Sequence, residues 1–315
     1  MTKRSKYLLP MIVILLAANL FFWFRDSSKQ SLDFDPRAFA VTDTAKVNII
    51  AFKRTGKSSL LQKKDSGWIL NEEYPVDGNL LRVFKSVMTR LRVKRKISEQ
   101  ELQDILQRVE EDGTEVSITL NEGKLLFTVI GNETRTRTYF VSADRQSGYE
   151  VEIPGYSEYI GGIFTLQPNQ WRDRLIFNGN WRTIQSLTID YSNEQYGDLD
   201  IRFKGDFFEV KGVEELDSSQ VVGFFDQFSY LQANEIITGT DFPRYDSLKD
   251  TAPFLTMTIN DIKLPENYQL EIFPPLEGES VLLVTDNKDE MMVFSENRIQ
   301  NFFAQPQDFI YQGPK

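Results

Sequence analysis

Two residue types are missing altogether: the 315 residues contain no cysteine and no histidine. Losing histidine removes the commonest general base near neutral pH and every Ser-His or Cys-His nucleophilic pair. Losing both removes the usual zinc sites. Disulfides go with cysteine, as does the acylated cysteine of a bacterial lipoprotein. Basic residues are in the minority, 36 Lys and Arg against 46 Asp and Glu, for a net charge of −10. That balance disfavours general nucleic-acid binding while allowing a local basic patch. No cofactor or metal site is expected. What is present is enough for folding, since 41% of residues are apolar and the length suits two domains.

Long apolar runs are also absent, with one exception. After Lys3, Arg4 and Lys6, "YLLPMIVILLAANLFFWF" extends from Tyr7 to Phe24 without a charge. About 18 residues at ~1.5 Å each span roughly 27 Å, enough for a bilayer core with aromatic ends at the interfaces. Residues 7–24 therefore read as a transmembrane helix and 1–6 as a cytoplasmic basic N-terminus, which places the rest across the membrane. The rival is a cleaved signal peptide ending near "AFA" at Ala38–Ala40. That site lies far beyond an apolar run already long for a signal core.

"AFKRTGKSSL", Ala51 to Leu60, ends a phosphate-loop pattern in Gly56-Lys57-Ser58. Such a loop needs glycine where Ala51 stands and a helix immediately after it. "SSLLQKKDSGWIL" reads instead as a strand, so the motif is expected to be a hairpin turn and no nucleotide is expected.

The chain repeats itself. At a constant offset of about 140 residues, Trp68 falls on Phe208, Asp77 on Asp217, Phe84 on Phe224, Leu91 on Leu231 and Ile97 on Ile237. "EVSITLNEGKLLFTVIG" then parallels "FLTMTINDIKLPENYQLEIF", and "TYFVSADRQSGYEVEIPG" parallels "VLLVTDNKDEMMVFSEN". Each unit opens with two alternating strands. A helix follows, capped by Asp77 in the first copy, with Leu80, Leu81, Phe84, Val87, Met88 and Leu91 at i, i+3, i+4 and i+7 spacing. The second copy repeats it from Asp217. Copy one adds "SEQELQDILQRVEE", with Ser98 and Glu101 as a capping box, where Pro243 in copy two argues for a loop with at most a short turn of helix. Two hairpin-like pairs close each unit. Helices gathered on one face of antiparallel strands give an α+β fold. The expected organisation is a linker over 25–44, a first repeat over 45–166, a connector over 167–185, a second repeat over 186–305 and a tail over 306–315.

Duplication separates fold requirements from freer positions. Asp144 and Asp286 occur in both copies where a strand meets a turn, which is local turn chemistry. Trp68 and Phe208 read as core aromatics. One feature belongs to copy one alone. Arg82 to Lys96, "RVFKSVMTRLRVKRK", carries seven basic residues and no acid. Helix-dipole compensation needs one or two of them. Arg90, Arg92, Lys94, Arg95 and Lys96 are therefore candidates for docking an acidic partner or surface. In the connector, Trp171, Arg172, Arg174 and Trp181 are candidates for inter-domain contact, with a junctional ligand cleft as the sharper alternative. "NET" at Asn132 matches a glycosylation signal that matters only in a eukaryotic secretory pathway.

Several segments carry a family resemblance: "RAFAVTDTAKVNIIAF", "GWILNEEYPVDGNLLRVFKSVMTRLRVKRKIS", "YEVEIPGYSEYIGG" and "WRDRLIF". Together they resemble the domain of unknown function 4340 as it occurs in Bacteroidetes proteins with one N-terminal anchor. The resemblance implies an envelope protein of the inner membrane and periplasm, related to auxiliary components of ABC-type transport and gliding systems. It implies no catalytic residues. The expected function is a non-enzymatic, membrane-anchored periplasmic binding or scaffolding module with a protein partner in the envelope. The alternative is a carboxylate-dependent hydrolase drawing on Glu72, Glu73 or Asp112, since Asp and Glu are the main catalytic acids and bases left.

Overall fold

The computed structural model describes residues 34–240 and 242–313. The expected span over 7–24 lies outside the described residues. Among those described, no helix is long and apolar enough to cross a membrane. Helices are mixed with two large, mostly antiparallel sheets, an α+β fold. Two compact units emerge, one comprising residues up to Gly56 with Arg82–Thr165, the other Lys57–Leu81 with Leu166–Lys315.

In chain order the first elements are β1 (Val47–Arg54), β2 (Lys57–Lys64), β3 (Gly67–Leu70), β4 (Tyr74–Pro75), helix α1 (Gly78–Arg90), β5 (Arg92–Lys96), helix α2 (Glu99–Asp112), β6 (Thr114–Leu120), β7 (Lys124–Gly131), β8 (Thr138–Ser142) and β9 (Gly148–Glu152). After a short helix α3 (Pro168–Trp171) come β10 (Leu175–Phe177), β11 (Ile184–Tyr191), β12 (Leu199–Lys204), β13 (Phe207–Val210), helix α4 (Ser218–Asp226), β14 (Leu231–Gln232) and β15 (Glu235–Ile237). Helix α5 (Pro243–Leu248), β16 (Leu255–Asp261), β17 (Tyr268–Ile272), β18 (Val281–Asp286), β19 (Met291–Ser295) and helix α6 (Glu296–Ile299) complete the series. The strand order is β4-β3-β2-β1-β6-β7-β8-β9-β5 in one sheet and β13-β12-β11-β16-β17-β18-β19-β15 in the other. Set β1 against β11 and the two orders coincide, except that β4 has no counterpart.

The expected hairpin turn is found. Gly56 sits in the turn after β1 at φ +74°, a left-handed conformation that glycine adopts without a Cβ clash. Lys57 and Ser58 then enter β2 rather than a helix. "SSLLQKKDSGWIL", read as one strand, is two: a turn at Asp65 and Ser66 separates β2 from β3, and Gly67 takes φ +125°. Trp68, expected in a core, is half-buried, whereas Phe208 is buried.

The helix starts follow their caps. Asp77 Oδ1 accepts the N–H groups of Asn79 and Leu80 at 2.8 and 3.0 Å, and Asp217 does the same for Ser219 and Gln220 at 2.9 and 3.3 Å. Leu81, Phe84, Met88 and Leu91 are buried, as the i, i+3, i+4 spacing required. Ser98 caps α2 by accepting the Glu101 N–H at 3.2 Å, but the Glu101 carboxylate turns to Arg95, so the capping box is half formed.

The helices do not share one face, which corrects the single-layer expectation. Along β8, Phe140 meets Phe39, Phe127 and Phe164, and Phe164 in turn meets Phe84 of α1. Tyr139 and Val141, pointing the other way by strand alternation, pack with Leu102, Ile105 and Val109 of α2. The second sheet repeats this. Leu282, Val284, Met292 and Phe294 join the core containing Val221, Phe224 and Phe225 of α4, while Leu283, Met291 and Val293 join Tyr245 of α5. A strand covered on both faces has no solvent face to carry polar residues, so successive positions are apolar.

Candidate functional site

The basic run divides between helix and strand. Arg90 is the last residue of α1 and is exposed, while Arg92 to Lys96 form β5, the terminal strand of its sheet. Alternation and a bulge between Val93 and Arg95 distribute the side chains. Arg95 makes two 2.8 Å bonds to Glu101 and one of 2.8 Å to Glu150. Those bonds hold the Glu101 carboxyl below its ordinary value, chiefly through the Arg95 hydrogen bond, and raise Arg95 in return. Lys94 reaches Glu150 at 3.1 Å and Glu152 at 3.8 Å. Arg92 caps the Leu91 carbonyl at 2.7 Å. Lys96 is exposed.

Glu150 is the residue that the sequence reading missed. Its side chain is 6% exposed, and a buried carboxylate requires compensating cations, which Lys94 and Arg95 supply. Beside it lies an open groove of about 310 Å³ walled by Lys94, Arg137, Glu150, Glu152, Tyr156 and Glu158. Its walls carry charges of both signs and one exposed aromatic ring.

The connector residues assemble around Arg172. Its side chain is 10% exposed, its guanidinium carbon stands 3.5 Å from the centre of the Tyr74 ring, and Nη2 donates to Glu290 Oε1 at 2.6 Å. The Tyr74 phenol is raised by its hydrogen bond to Glu73 and then by burial. Trp171 is fully buried. Arg174 donates to the Asn234 carbonyl at 2.7 Å, and Trp181, half-buried against the second core, is covered by Arg182 at 4.6 Å. Trp171 and Arg172 thus join the Tyr74 segment, whereas Arg174 and Trp181 serve other neighbours.

Other candidates have local roles. Asp144 accepts from Ser142 Oγ and the Gln146 N–H, which lowers its carboxyl, and Asp286 accepts from the N–H groups of Lys288 and Glu290. Asn132 is occupied by Thr134, Thr136 and two backbone N–H groups. Asp112 lies 3.8 Å from Arg54. No cluster of three or more metal-type ligands occurs among the described residues.

Comparison with family models, curated proteins and solved structures finds no match to this chain.

Proposed function

We propose that the chain is a non-enzymatic binding or scaffolding module, anchored in the inner membrane through residues 7–24, whose body of two tandem α+β copies stands in the periplasm and docks an envelope protein. The observation that supports the duplication best is a matched set of backbone bonds. Asp77 N–H donates to the Trp171 carbonyl at 2.8 Å and Asp217 N–H to the Phe309 carbonyl at 2.8 Å. Asp173 N–H donates to the Pro75 carbonyl at 2.8 Å and Tyr311 N–H to the Glu215 carbonyl at 2.9 Å. The segment before each helix is strapped in the same way, by Trp171 in one case and Phe309 in the other. On this reading Trp171 closes the first copy, and Arg172, whose counterpart is Ile310, is free to do something the second copy does not.

A binding role is favoured because the perturbed carboxyls of Asp144, Asp217 and Glu101 are explained by turns, a cap and an ion pair. Catalytic groups more often break such local rules. The hydrolase alternative, which draws on Glu72, Glu73 or Asp112, gains one further carboxyl from the structure in Asp190, raised first by burial and then by Asp198 and Asp200. Asp198, however, accepts the Tyr191 N–H at 3.1 Å and Asp200 holds Arg202 at 2.8 and 2.9 Å. The resemblance to auxiliary parts of ABC-type transport or gliding systems supplies the class of partner. Crosslinking in intact membranes followed by mass spectrometry tests this: recovery of envelope or transporter subunits is expected, and recovery of nothing contradicts it.

A further inference from the structure

The two sheets differ at one edge. In the first, β4 continues beyond β3, with Ile69 opposite Pro75 and Leu70 opposite Tyr74, and the Val76 N–H closes on the Trp68 carbonyl at 2.9 Å. In the second, β13 is terminal. Lys211 N–H donates to the Asp200 carbonyl at 2.9 Å, so alternation along the register makes Arg202 and Glu209 a bonded pair. Phe208 and Val210 then turn their N–H and C=O groups away from β12.

The Val210 carbonyl takes the Val213 N–H at 3.1 Å, as that of Leu70 takes the Glu73 N–H at 3.0 Å. The bond that would correspond to Val76 and Trp68, from Leu216 to Phe208, is not formed among the described residues. A groove of about 540 Å³ lies there instead, lined by Phe208, Glu209, Val210, Gly212, Glu214 and Leu216.

The surroundings carry surplus negative charge. Asp200 and Glu209 line the groove with Arg202 and Lys211, but Arg202 is bound to Asp200 itself and Glu209 pairs, among the described residues, with Lys204 at 3.0 Å. Glu214 and Glu215, both exposed, have no ion pair among the described residues. The neighbouring Asp190 carboxyl is raised partly by Asp198 and Asp200, as expected for an acidic face.

We propose that the outer edge of β13 takes an extended basic segment of a partner protein as an added strand, bonding to the main chain of Phe208 and Val210 and placing its cations over Glu209 and Glu214. Main-chain bonds supply affinity in this mode and side chains supply choice. The shortness of β13 and its charge at Glu209, with Lys204 at the end of β12 and Lys211 just after the strand, discourage indiscriminate edge pairing. The proposal rests on reading the chain as a partner-binding module, and the two fail separately. A partner crosslinked at another surface removes this proposal and leaves the module, while a strand bound here with no partner in membranes does the reverse.

The test uses the full chain in detergent micelles and a labelled peptide, Lys-Val-Lys-Val-Lys-Val. Saturable binding is expected, with amide exchange over 207–211 slowed about tenfold or more. The double variant E209K/E214K, which changes two exposed side chains, should weaken binding about tenfold, equivalent to ~1.4 kcal/mol. Equal binding of Glu-Val-Glu-Val-Glu-Val or of Lys-Pro-Lys-Pro-Lys-Pro, or unchanged exchange over 207–211, would overturn the proposal. So would protection that rises with protein concentration in the absence of peptide, because the occupant would then be a second copy of the chain.

Discussion

Arg172 lies against the Tyr74 ring, 3.5 Å from its centre, while its Nη2 donates to Glu290 at 2.6 Å. One guanidinium thus joins a residue from before α1 to one just ahead of β19. Removing Glu290 strands a cation whose side chain is only 10% exposed. Glu290→Ala should cost about 1–3 kcal/mol, read as a shift in the denaturation midpoint. Arg172→Met should cost less than Glu290→Ala, because an apolar replacement removes the charge together with its need for a partner. A double-mutant cycle between Tyr74→Leu and Arg172→Met should return a coupling of roughly 0.5–2 kcal/mol.

Trp171 and Phe309 offer a comparison of the two straps. Both are buried, at 0% and 2% exposure. Trp171→Ala and Phe309→Ala should each cost about 3–5 kcal/mol in chemical denaturation. A loss under about 1 kcal/mol at either position would mean that the strap is not part of the core, since ordinary surface changes stay within about half that.

Acid should weaken the Arg95 to Glu101 link. The folded carboxyl lies below its ordinary value of 4.5, because Arg95 hydrogen-bonds its charged form. A depressed carboxyl contributes stability that is fully present above the unfolded value and is lost as pH falls through the folded one. Glu101→Gln should therefore lower the melting temperature at neutral pH. The difference from the parent should shrink as pH drops below 4.5 and vanish beneath the folded value. A difference independent of pH would assign the effect to packing.

The basic run should separate into two classes. Arg95 is tied to Glu101 and Glu150, so Arg95→Glu is expected to destabilise the fold by placing a third carboxylate beside Glu150. Arg90 and Lys96 are exposed, and Arg90→Glu with Lys96→Glu should leave the melting temperature within a few degrees while weakening capture of an acidic partner. Capture unchanged by the double reversal would remove the docking role.

Much of the local structure was legible because its causes are local. Asp77 and Asp217 mark helix starts by the N–H groups they accept, and Phe84 and Met88 mark the buried stripe by spacing alone. Two-faced burial was harder to read. The run Tyr139-Phe140-Val141 holds the signal, three apolar residues in succession, which helices gathered on one face do not account for. The candidate site was least legible. Arg95 finds Glu150 from 55 residues away and Arg172 finds Glu290 from 118 away, and no spacing rule reaches that far. Each pair is tied by a buried charge that needs a partner, the Glu150 carboxylate in one and the Arg172 guanidinium in the other.

The central claim is that the duplicated body stands across the membrane from the basic N-terminus. Because the chain has no cysteine, one introduced thiol reports one place. Ser66→Cys, in an exposed turn, and Ser5→Cys, ahead of the hydrophobic run, can each be treated with a thiol reagent that does not cross the inner membrane. Labelling of Ser66→Cys in intact cells, with Ser5→Cys labelled only after lysis, is the predicted result; the reverse pattern would contradict the account.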